Sequence, residues 1–422
     1  MLLAAALPWS TSIFLVLLIP FIAIVCGSVN IGTFQSSFMR APSLVSISLL
    51  ILALLGLLWS EAPLPDGWRA VGPLVKFLVL PFFLYYFELS KRSALVLGSL
   101  FLSCALLMIY SWIVTFEPSW AIKTGRCCGE DYGVPVRNYI DQSQEFSACL
   151  AMLIAAALYS IEEGAWKRSA ALAFAALLFA ANLIFVVTSR TAIITVPVML
   201  LVVAWRHGRM RGVLTALAIG SVMLVAVWFA SPHLRTRIMS VPSQFLEYRD
   251  ADIPSSVGKR LEFWHKSIRF FWESPLLGHG TGSIHQLFEL DAVGRSGTSA
   301  EIVANPHNQT FNVAIQWGVL GLIALYALWF VHLRMFLTKG IVAELGLLFV
   351  VQNIAGSLFN SHLFDFLEGW LYVLGVGVAG GILAKQHAKN VPAFSGSSPN
   401  NSSTNMTQPI IVAGIAKETK TS

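Results

Sequence analysis

The stretch Asn305-Pro306-His307-Asn308-Gln309 precedes a long apolar run that contains Gly318 and Gly321. A proline flanked by asparagines marks a turn that starts a helix. From about Thr310 to Leu333 the run is long and apolar enough to cross a bilayer as one helix. The sequence therefore predicts that His307 lies at a membrane surface, beside the N-terminus of a spanning helix.

The chemistry of His307 follows from that position. The positive end of a helix dipole attracts anions such as phosphate and disfavours a second positive charge. It thus favours a neutral imidazole that can accept a proton. Asn308, Asn312 and Gln316 recur every four residues and form a polar stripe, which inside lipid must face protein or water. A lone histidine is, however, more often a structural hydrogen-bonding residue than a catalyst.

Composition excludes a soluble fold. Of the 422 residues 56% are hydrophobic and 12% charged, and the mean hydropathy is +0.70. No Lys or Arg precedes Arg40, so the first apolar run lacks the basic region of a signal peptide and is predicted to be a retained span. The net charge of +6 is modest, and no basic groove with interleaved aromatics suggests a nucleic acid partner. We predict an all-α polytopic membrane protein.

The spans can be counted from hydropathy. About eleven apolar stretches approach the ~20 residues that a helical span needs: 8–27, 43–59, 70–89, 93–116, 144–161, 169–188, 191–205, 212–231, 309–333, 341–359 and 366–384. The first 39 residues, broken by Pro8 and Pro20, could contain a twelfth.

The predicted organisation has four parts. They are an N-terminal transmembrane bundle (1–231), a large loop outside the cytoplasm (232–308), C-terminal transmembrane helices (309–389) and a cytoplasmic tail (390–422). The tail is rich in Ser, Asn, Thr and Pro and is predicted to be disordered.

Charge predicts which connections share a side. Clusters of Lys and Arg fall in alternate connections and are predicted to be cytoplasmic: Lys91-Arg92, Lys167-Arg168, Arg206 with Arg209 and Arg211, Arg334 with Lys339, and Lys385 with Lys389. The connections 60–69, 117–143, 232–308 and 360–365 then lie on the opposite side. Cys127 and Cys128 lie there, where disulfides persist. One of them could pair with Cys149, and unpaired thiols are the equal alternative.

Three sequence patterns resemble the O-antigen ligase and O-antigen polymerase superfamily. The first is His307-Asn308, nine residues, Gly318, two residues and Gly321. The second is Ser189-Arg190 at the start of a middle span. The third is Arg260, three residues and Trp264, followed by a Pro-Leu-x-Gly segment. The resemblance implies twelve spans with both ends in the cytoplasm, and a functional arginine in the large loop.

Arg190 and Arg260 are also candidates on physical grounds. Arg190 lies between two apolar runs on the outer side, against the positive-inside tendency. It could be a plain turn residue, or its guanidinium could grip a phosphate bidentately. Arg260 lies on a predicted amphipathic surface helix whose apolar residues are Leu261, Trp264, Ile268 and Phe271. Lys259 beside it leaves open which cation acts.

Two further cations are weaker candidates. Lys76 lies inside an apolar run, where a charge is expensive unless it is paired or near the interface. It could snorkel outward or contact the substrate's phosphates. Arg137, before Asp141, is of the same kind. No acidic motif near a span indicates a divalent-metal site, so we expect an enzyme without a metal or other cofactor, its arginines replacing the metal ion.

The resemblance implies a glycosyltransferase of the bacterial inner membrane, with its active site facing the periplasm. It would move O-antigen glycan from undecaprenyl pyrophosphate to a sugar hydroxyl of lipid A-core, with inversion. His307 would be the base, and Arg190 and Arg260 would bind the pyrophosphate, with Lys76, Arg137, Asn308 and Lys259 as further substrate-binding candidates.

Three alternatives stay open. A polymerase would join lipid-linked repeat units, and a protein O-oligosaccharyltransferase would use a protein hydroxyl. The single dominant outer loop favours the ligase over the protein-glycosylating branch. A lipid or solute transporter is the alternative from another class, but it predicts charged or Gly/Pro-broken residues near mid-bilayer in corresponding halves. The strongest charges here lie at the outer edge instead.

Overall fold

The computed structural model describes residues 1–122, 133–187, 189–251 and 255–390. The fold is 81% helical, and these residues contain no strand. Eight of the described helices are long and apolar enough to cross a membrane. The prediction of an all-α polytopic membrane protein is confirmed.

The first eight helices run from α1 to α8. They are α1 (Leu2–Ala6), α2 (Thr11–Gly27), α3 (Ile31–Phe38), α4 (Ala41–Leu55), α5 (Leu64–Val71), α6 (Leu80–Leu89), α7 (Ser93–Phe116) and α8 (Tyr139–Glu162). The 3₁₀ segment Gly72–Leu78 joins α5 to α6.

The second half of the fold contains the large loop. Its helices are α9 (Trp166–Phe185), α10 (Arg190–Ala230), α11 (Pro232–Ala251), α12 (Ser256–Glu273), α13 (Ser283–Ala292), α14 (Gln309–Met335), α15 (Ile341–Gly356) and α16 (Phe366–Asn390). The helices α11, α12 and α13 lie between the long helices α10 and α14, within the predicted loop 232–308. Of these three the sequence predicted only α12.

Each predicted apolar stretch coincides with a helix or with consecutive helical segments. The stretches 191–205 and 212–231 are two helices, as predicted, which meet at a kink at Arg209 (φ 51°), and we label both α10. The helices α2 and α15 are shorter, with 17 and 16 residues. Besides α2, the first 39 residues contain only α1 and α3, with 5 and 8 residues, too short for the twelfth span.

The connections group at two ends of the bundle. At one end, Ser60 Oγ donates to the Thr281 carbonyl (2.8 Å) and His307 contacts Asn360, which joins the connections 60–69, 232–308 and 360–365. At the other end, Arg206 donates to the Thr338 carbonyl (2.6 Å) and Lys385 to the Ser90 carbonyl (2.6 Å). We call these the His307 end and the basic end.

Burial matches a multi-pass membrane protein. The helix α16 is nearly enclosed by its neighbours, and its Tyr372 is among the largest fully buried side chains. By contrast, Val222, Leu224 and Phe229 on the second half of α10 are exposed. Backbone polar groups of such helices are satisfied internally, so apolar side chains can face lipid.

A kink in α14 joins the large loop to the bundle. Gly318 has φ +57°, and a Cβ there would lie 2.5 Å from the backbone of Leu276. The neighbouring amide of Val319 donates to the Pro275 carbonyl (2.8 Å), and the amide of Gly280 donates to the Gln316 carbonyl (2.9 Å). Only glycine allows this approach. The Pro275–Gly280 segment and the motif glycine are therefore two halves of one junction.

The predicted loop helix is present as α12, and a second set of its apolar residues, which was not predicted, packs within the loop. The predicted stripe is only partly covered, and its Ile268 is 46% exposed. Phe263 and Phe270 are buried instead, in a small core with Phe288 of α13. The large loop supplies its own packing partner for α12, which hydropathy spacing in α12 alone does not reveal.

Candidate functional site

His307 is held by its own backbone geometry. Its φ of +53° is unusual for a residue with a side chain. The His307 amide donates to Asn305 Oδ1 (2.9 Å), which also accepts from Ser361 Oγ (2.7 Å). Asn308 caps α14 by accepting from the Phe311 amide (3.1 Å). His307 thus stands directly before a helix N-terminus, as the sequence predicted.

A hydrogen-bonded relay fixes the imidazole tautomer. Asn360 Nδ2 donates to Asp365 Oδ2 (2.8 Å), so the Asn360 amide oxygen faces the other way. That oxygen lies 2.8 Å from His307 Nδ1, which must therefore carry the proton and donate it. The Phe263 ring stacks on the imidazole with centroids 6.2 Å apart. His307 Nε2 keeps its lone pair and can accept a proton.

Two arginines lie on the α12 side of His307. Arg190 begins α10 and donates to Ser240 Oγ (3.1 Å) and Gln244 Oε1 (3.3 Å) of α11. Arg260 is half-buried and makes no hydrogen bond or ion pair with any other described residue. Burial lowers the pKa of Arg260 and the charge of Arg190 lowers it further, while Tyr139 opposes this. Contacts link the two arginines, because Gln244, which accepts from Arg190, also accepts through its carbonyl from Ser255 Oγ (3.2 Å) at the start of α12.

The charge of Arg260 also acts on His307. Burial is the main cause that lowers the pKa of His307, and the charges of Arg260 and His362 lower it too. The Asn360 hydrogen bond and the Asp365 charge act in the opposite direction. The net effect favours the neutral imidazole near pH 7. Phe263, three residues after Arg260 on α12, stacks on His307, so the structure brings the regions of Arg190, Arg260 and His307 together from three distant parts of the chain.

The other predicted substrate-binding residues already have protein partners. Lys259 pairs with Glu301 (2.5 Å), whereas Arg260 has no ion-pair partner among the described residues. Asn308, besides its capping role, donates from Nδ2 to the Leu358 carbonyl (3.0 Å). These contacts indicate structural roles. Binding of substrate by either residue stays a prediction.

Lys76 and Arg137 are buried behind the site. Lys76 is 4% exposed, and its Nζ donates to the carbonyls of Asp365 (2.6 Å) and Leu363 (3.1 Å). Arg137 donates to the Leu7 carbonyl (2.9 Å) and pairs with Asp141 (3.6 Å). Lys76 thus does not snorkel outward, and its ammonium orders the connection that carries Asn360. Binding of substrate phosphate by Lys76 or Arg137 stays a prediction.

Sequence reasoning missed a second cluster beside the relay. His362, Asp365 and Glu368 place one ligand atom each within 4.8 Å of the others, and this group could hold a metal ion. His362 Nδ1 lies 3.3 Å from Asp365 Oδ2 and 3.4 Å from Glu368 Oε1. The signal was the His-x-x-Asp-x-x-Glu spacing across the start of α16. The expectation of a metal-independent enzyme stays a prediction.

The predicted disulfide falls partly outside the structure. Cys127 and Cys128 lie outside the described residues. Cys149 is a free, buried thiol within α8.

Comparison with known proteins bears on the same residues. Residues 174–326 match the family model described as O-Antigen ligase. The matched segment contains Arg190, Arg260 and His307 together with Gly318 and Gly321. It confirms the predicted resemblance to the O-antigen ligase and polymerase superfamily over that part of the chain. The match supports an O-antigen ligase or polymerase type of activity on lipid-linked glycans in a membrane. A search of the curated proteins finds no match to the chain.

Proposed function

We propose that this protein is an O-antigen ligase of the bacterial inner membrane. It transfers O-antigen glycan from undecaprenyl pyrophosphate to a sugar hydroxyl of lipid A-core, at the periplasmic face. The observation that carries the proposal is the placement of Arg190 and Arg260 on the α12 side of His307. Gln244 contacts both Arg190 and Ser255 at the start of α12, and Phe263 of α12 stacks on His307.

The arginines supply the charge that the leaving group needs. As the glycosidic bond breaks, negative charge grows on the undecaprenyl pyrophosphate. Arg260 has no ion-pair partner among the described residues, and its planar guanidinium can bind phosphate oxygens bidentately. Each well-placed donor of this kind is commonly worth ~2.7–4 kcal/mol in the transition state. Two guanidinium groups can therefore take the place of a divalent cation.

His307 supplies the base. Its Nε2 accepts the proton of the acceptor hydroxyl while the hydroxyl oxygen bonds to the anomeric carbon. The bond from that carbon to the pyrophosphate oxygen breaks in the same step, so the anomeric configuration inverts. Proton transfer to a positioned base contributes roughly 10²–10⁴-fold. The Asn360 relay holds the tautomer that this step requires.

Product analysis tests the proposal. The wild-type protein, expressed in a cell deficient in O-antigen ligase, is expected to restore lipopolysaccharide that carries O-chains. The His307→Ala variant should not, whereas His387→Ala, which changes an exposed histidine in the last turn of α16, should behave as wild type. Lengthening of the lipid-linked polymer instead would assign the chain to the polymerases. Relocation of the lipid without a new glycosidic bond would indicate a transporter.

A further inference from the structure

A cavity opens at the His307 end of the bundle. It measures about 270 Å³ and lies between α5, α13, α14 and the connection before α16. Small-molecule sites span roughly 300–1,000 Å³, so the cavity suits one or two sugar rings rather than a chain. None of its lining residues comes from α10, α11 or α12, the helices that carry Arg190, Ser240 and Arg260.

The amides in this cavity have hydrogen-bonding capacity to spare. Asn312 Oδ1 accepts from Gln316 Nε2 (2.8 Å), which leaves Asn312 Nδ2 as a donor without a partner in the described chain. Asn305 Oδ1 accepts two hydrogen bonds, and its Nδ2 is likewise uncommitted. Asp365 uses Oδ2 for Asn360 and keeps Oδ1 as an acceptor. Uncommitted donors and acceptors in one cavity suit hydroxyl groups, which both donate and accept.

The charge of the cavity argues against phosphate. Its two carboxylates are Asp66 and Asp365, and its one permanent cation, Arg69, pairs with Asp66 (3.1 Å) at the exposed rim. The balance is therefore not positive, in contrast to the pair of arginines on the other side of His307. A neutral polyhydroxyl ligand fits this balance, and a pyrophosphate would be repelled. Phe364 adds an apolar surface for the C–H face of a sugar ring.

We propose that this cavity binds a saccharide ring of the acceptor and thereby selects which sugar is glycosylated. The inference rests on the proposed function, because the acceptor is defined by that reaction. The cavity is joined to the imidazole in two ways. Its lining residue Asn305 holds the His307 amide, and its lining residue Asp365 fixes Asn360, which orients His307. A ring seated there contacts the two residues that hold and orient the proposed base.

Two substitutions test the cavity by different means. Ala70→Leu, on α5, fills the space, and Asn312→Asp removes the donor while keeping the acceptor that holds Gln316. Trp68→Leu is the control, since Trp68 lies on α5 but is 54% exposed and does not line the cavity. We expect each cavity variant to raise the KM for lipid A-core about tenfold, the effect of one lost hydrogen bond or a blocked subsite. The KM for the lipid-linked donor and kcat should stay unchanged.

A rise in the donor KM would place the donor glycan in the cavity, and unchanged constants would remove the subsite. Either result overturns the proposal. A binding measurement then tests the proposed cavity separately from the proposed transfer reaction. Core oligosaccharide released from lipid A by mild acid should raise the Tm of the wild-type protein and of Trp68→Leu, and should do so less in the two cavity variants. A wild-type protein that binds the oligosaccharide in this way but transfers nothing would refute the ligase and keep the cavity. Normal transfer with equal oligosaccharide binding in all variants would refute the proposed cavity and keep the ligase.

Discussion

The two sides of His307 use the same kinds of charged residue in opposite ways. On the α12 side, Arg260 is half-buried and makes no hydrogen bond or ion pair within the described chain. On the α16 side, Lys76 is almost fully buried and its ammonium donates to backbone carbonyls of the connection before that helix. The Lys76 ammonium has three N–H donors, and the carbonyls of Leu363, Phe364 and Asp365 accept from it, so it has little left to offer a substrate. The comparison favours substrate phosphate on the first side and structural support on the second.

The strongest test of this division is the residue between the two sides. We expect His307→Ala to lower the transfer rate by roughly 10²–10⁴-fold, because the base is lost while both arginines stay in place. Binding of the lipid-linked donor should be nearly unchanged. Single-turnover rates and donor binding in nanodiscs measure the two effects separately. A large loss of donor binding would show that the imidazole belongs to the phosphate site, and the division would not hold.

Next in size is a contrast between neighbours on α12. Arg260→Ala should cost about 10²–10³-fold in kcat/KM for the donor, which corresponds to the ~2.7–4 kcal/mol of one electrostatic donor. Lys259→Ala removes a partly exposed ion pair with Glu301, and such pairs are worth about 0.2–1 kcal/mol, so a change of at most a few-fold is expected. Arg190→Ala should resemble Arg260→Ala. Equal losses at Lys259 and Arg260 would contradict the assignment, which rests on the partners each cation already has.

The sequence predicted the features that depend on neighbouring residues and did not predict those that depend on residues far apart in the chain. Hydropathy located the long helices because a span is a local property of about 20 residues. The motif residues Arg190, Arg260 and His307 were identified one by one. Asn360 was not, because its role exists only through His307, 53 residues earlier in the chain, and Asp365. For the same reason Lys76 was weighed as a phosphate ligand. The backbone carbonyls that accept hydrogen bonds from Lys76 belong to a connection almost 290 residues later in the chain.

The buried face of α12 was not predicted, for a different reason. Its spacing fits more than one apolar stripe, and the choice is made by α13, which spacing within α12 does not report. The break in α10 at Arg209 was visible in the sequence as a basic gap between two apolar stretches.

A smaller expected effect is on the pH dependence of kcat/KM, which substitutions on the two sides of His307 should shift in opposite directions. The Arg260 charge lowers the pKa of His307, so Arg260→Gln should raise that pKa and move the acidic limb of kcat/KM to higher pH. The Asn360 hydrogen bond raises the pKa of His307, so Asn360→Ala should move the same limb to lower pH. Activity needs the neutral imidazole, which is why the limb follows this pKa. The measurement is the kcat/KM profile for the acceptor from about pH 5 to 8, where histidine titrates. Shifts in the same direction for both variants would contradict the arrangement.

The smallest expected effect concerns the cluster of His362, Asp365 and Glu368. Its separations of 3.3 and 3.4 Å are close to the ~3.4 Å between ligands of a tetrahedral Zn²⁺ with bonds of about 2.1 Å. The same distances also suit an imidazole that shares protons with two carboxyl groups. We expect a chelator to leave transfer unchanged, because the phosphate side relies on guanidinium groups and this cluster lies on the supporting side. Loss of activity in chelator, its return with Zn²⁺ or Mn²⁺, and an equal loss in His362→Ala would give the opposite answer. The supporting side would then contain a cation whose field reaches His307 through Asp365 and Asn360, and the two sides would no longer differ in kind.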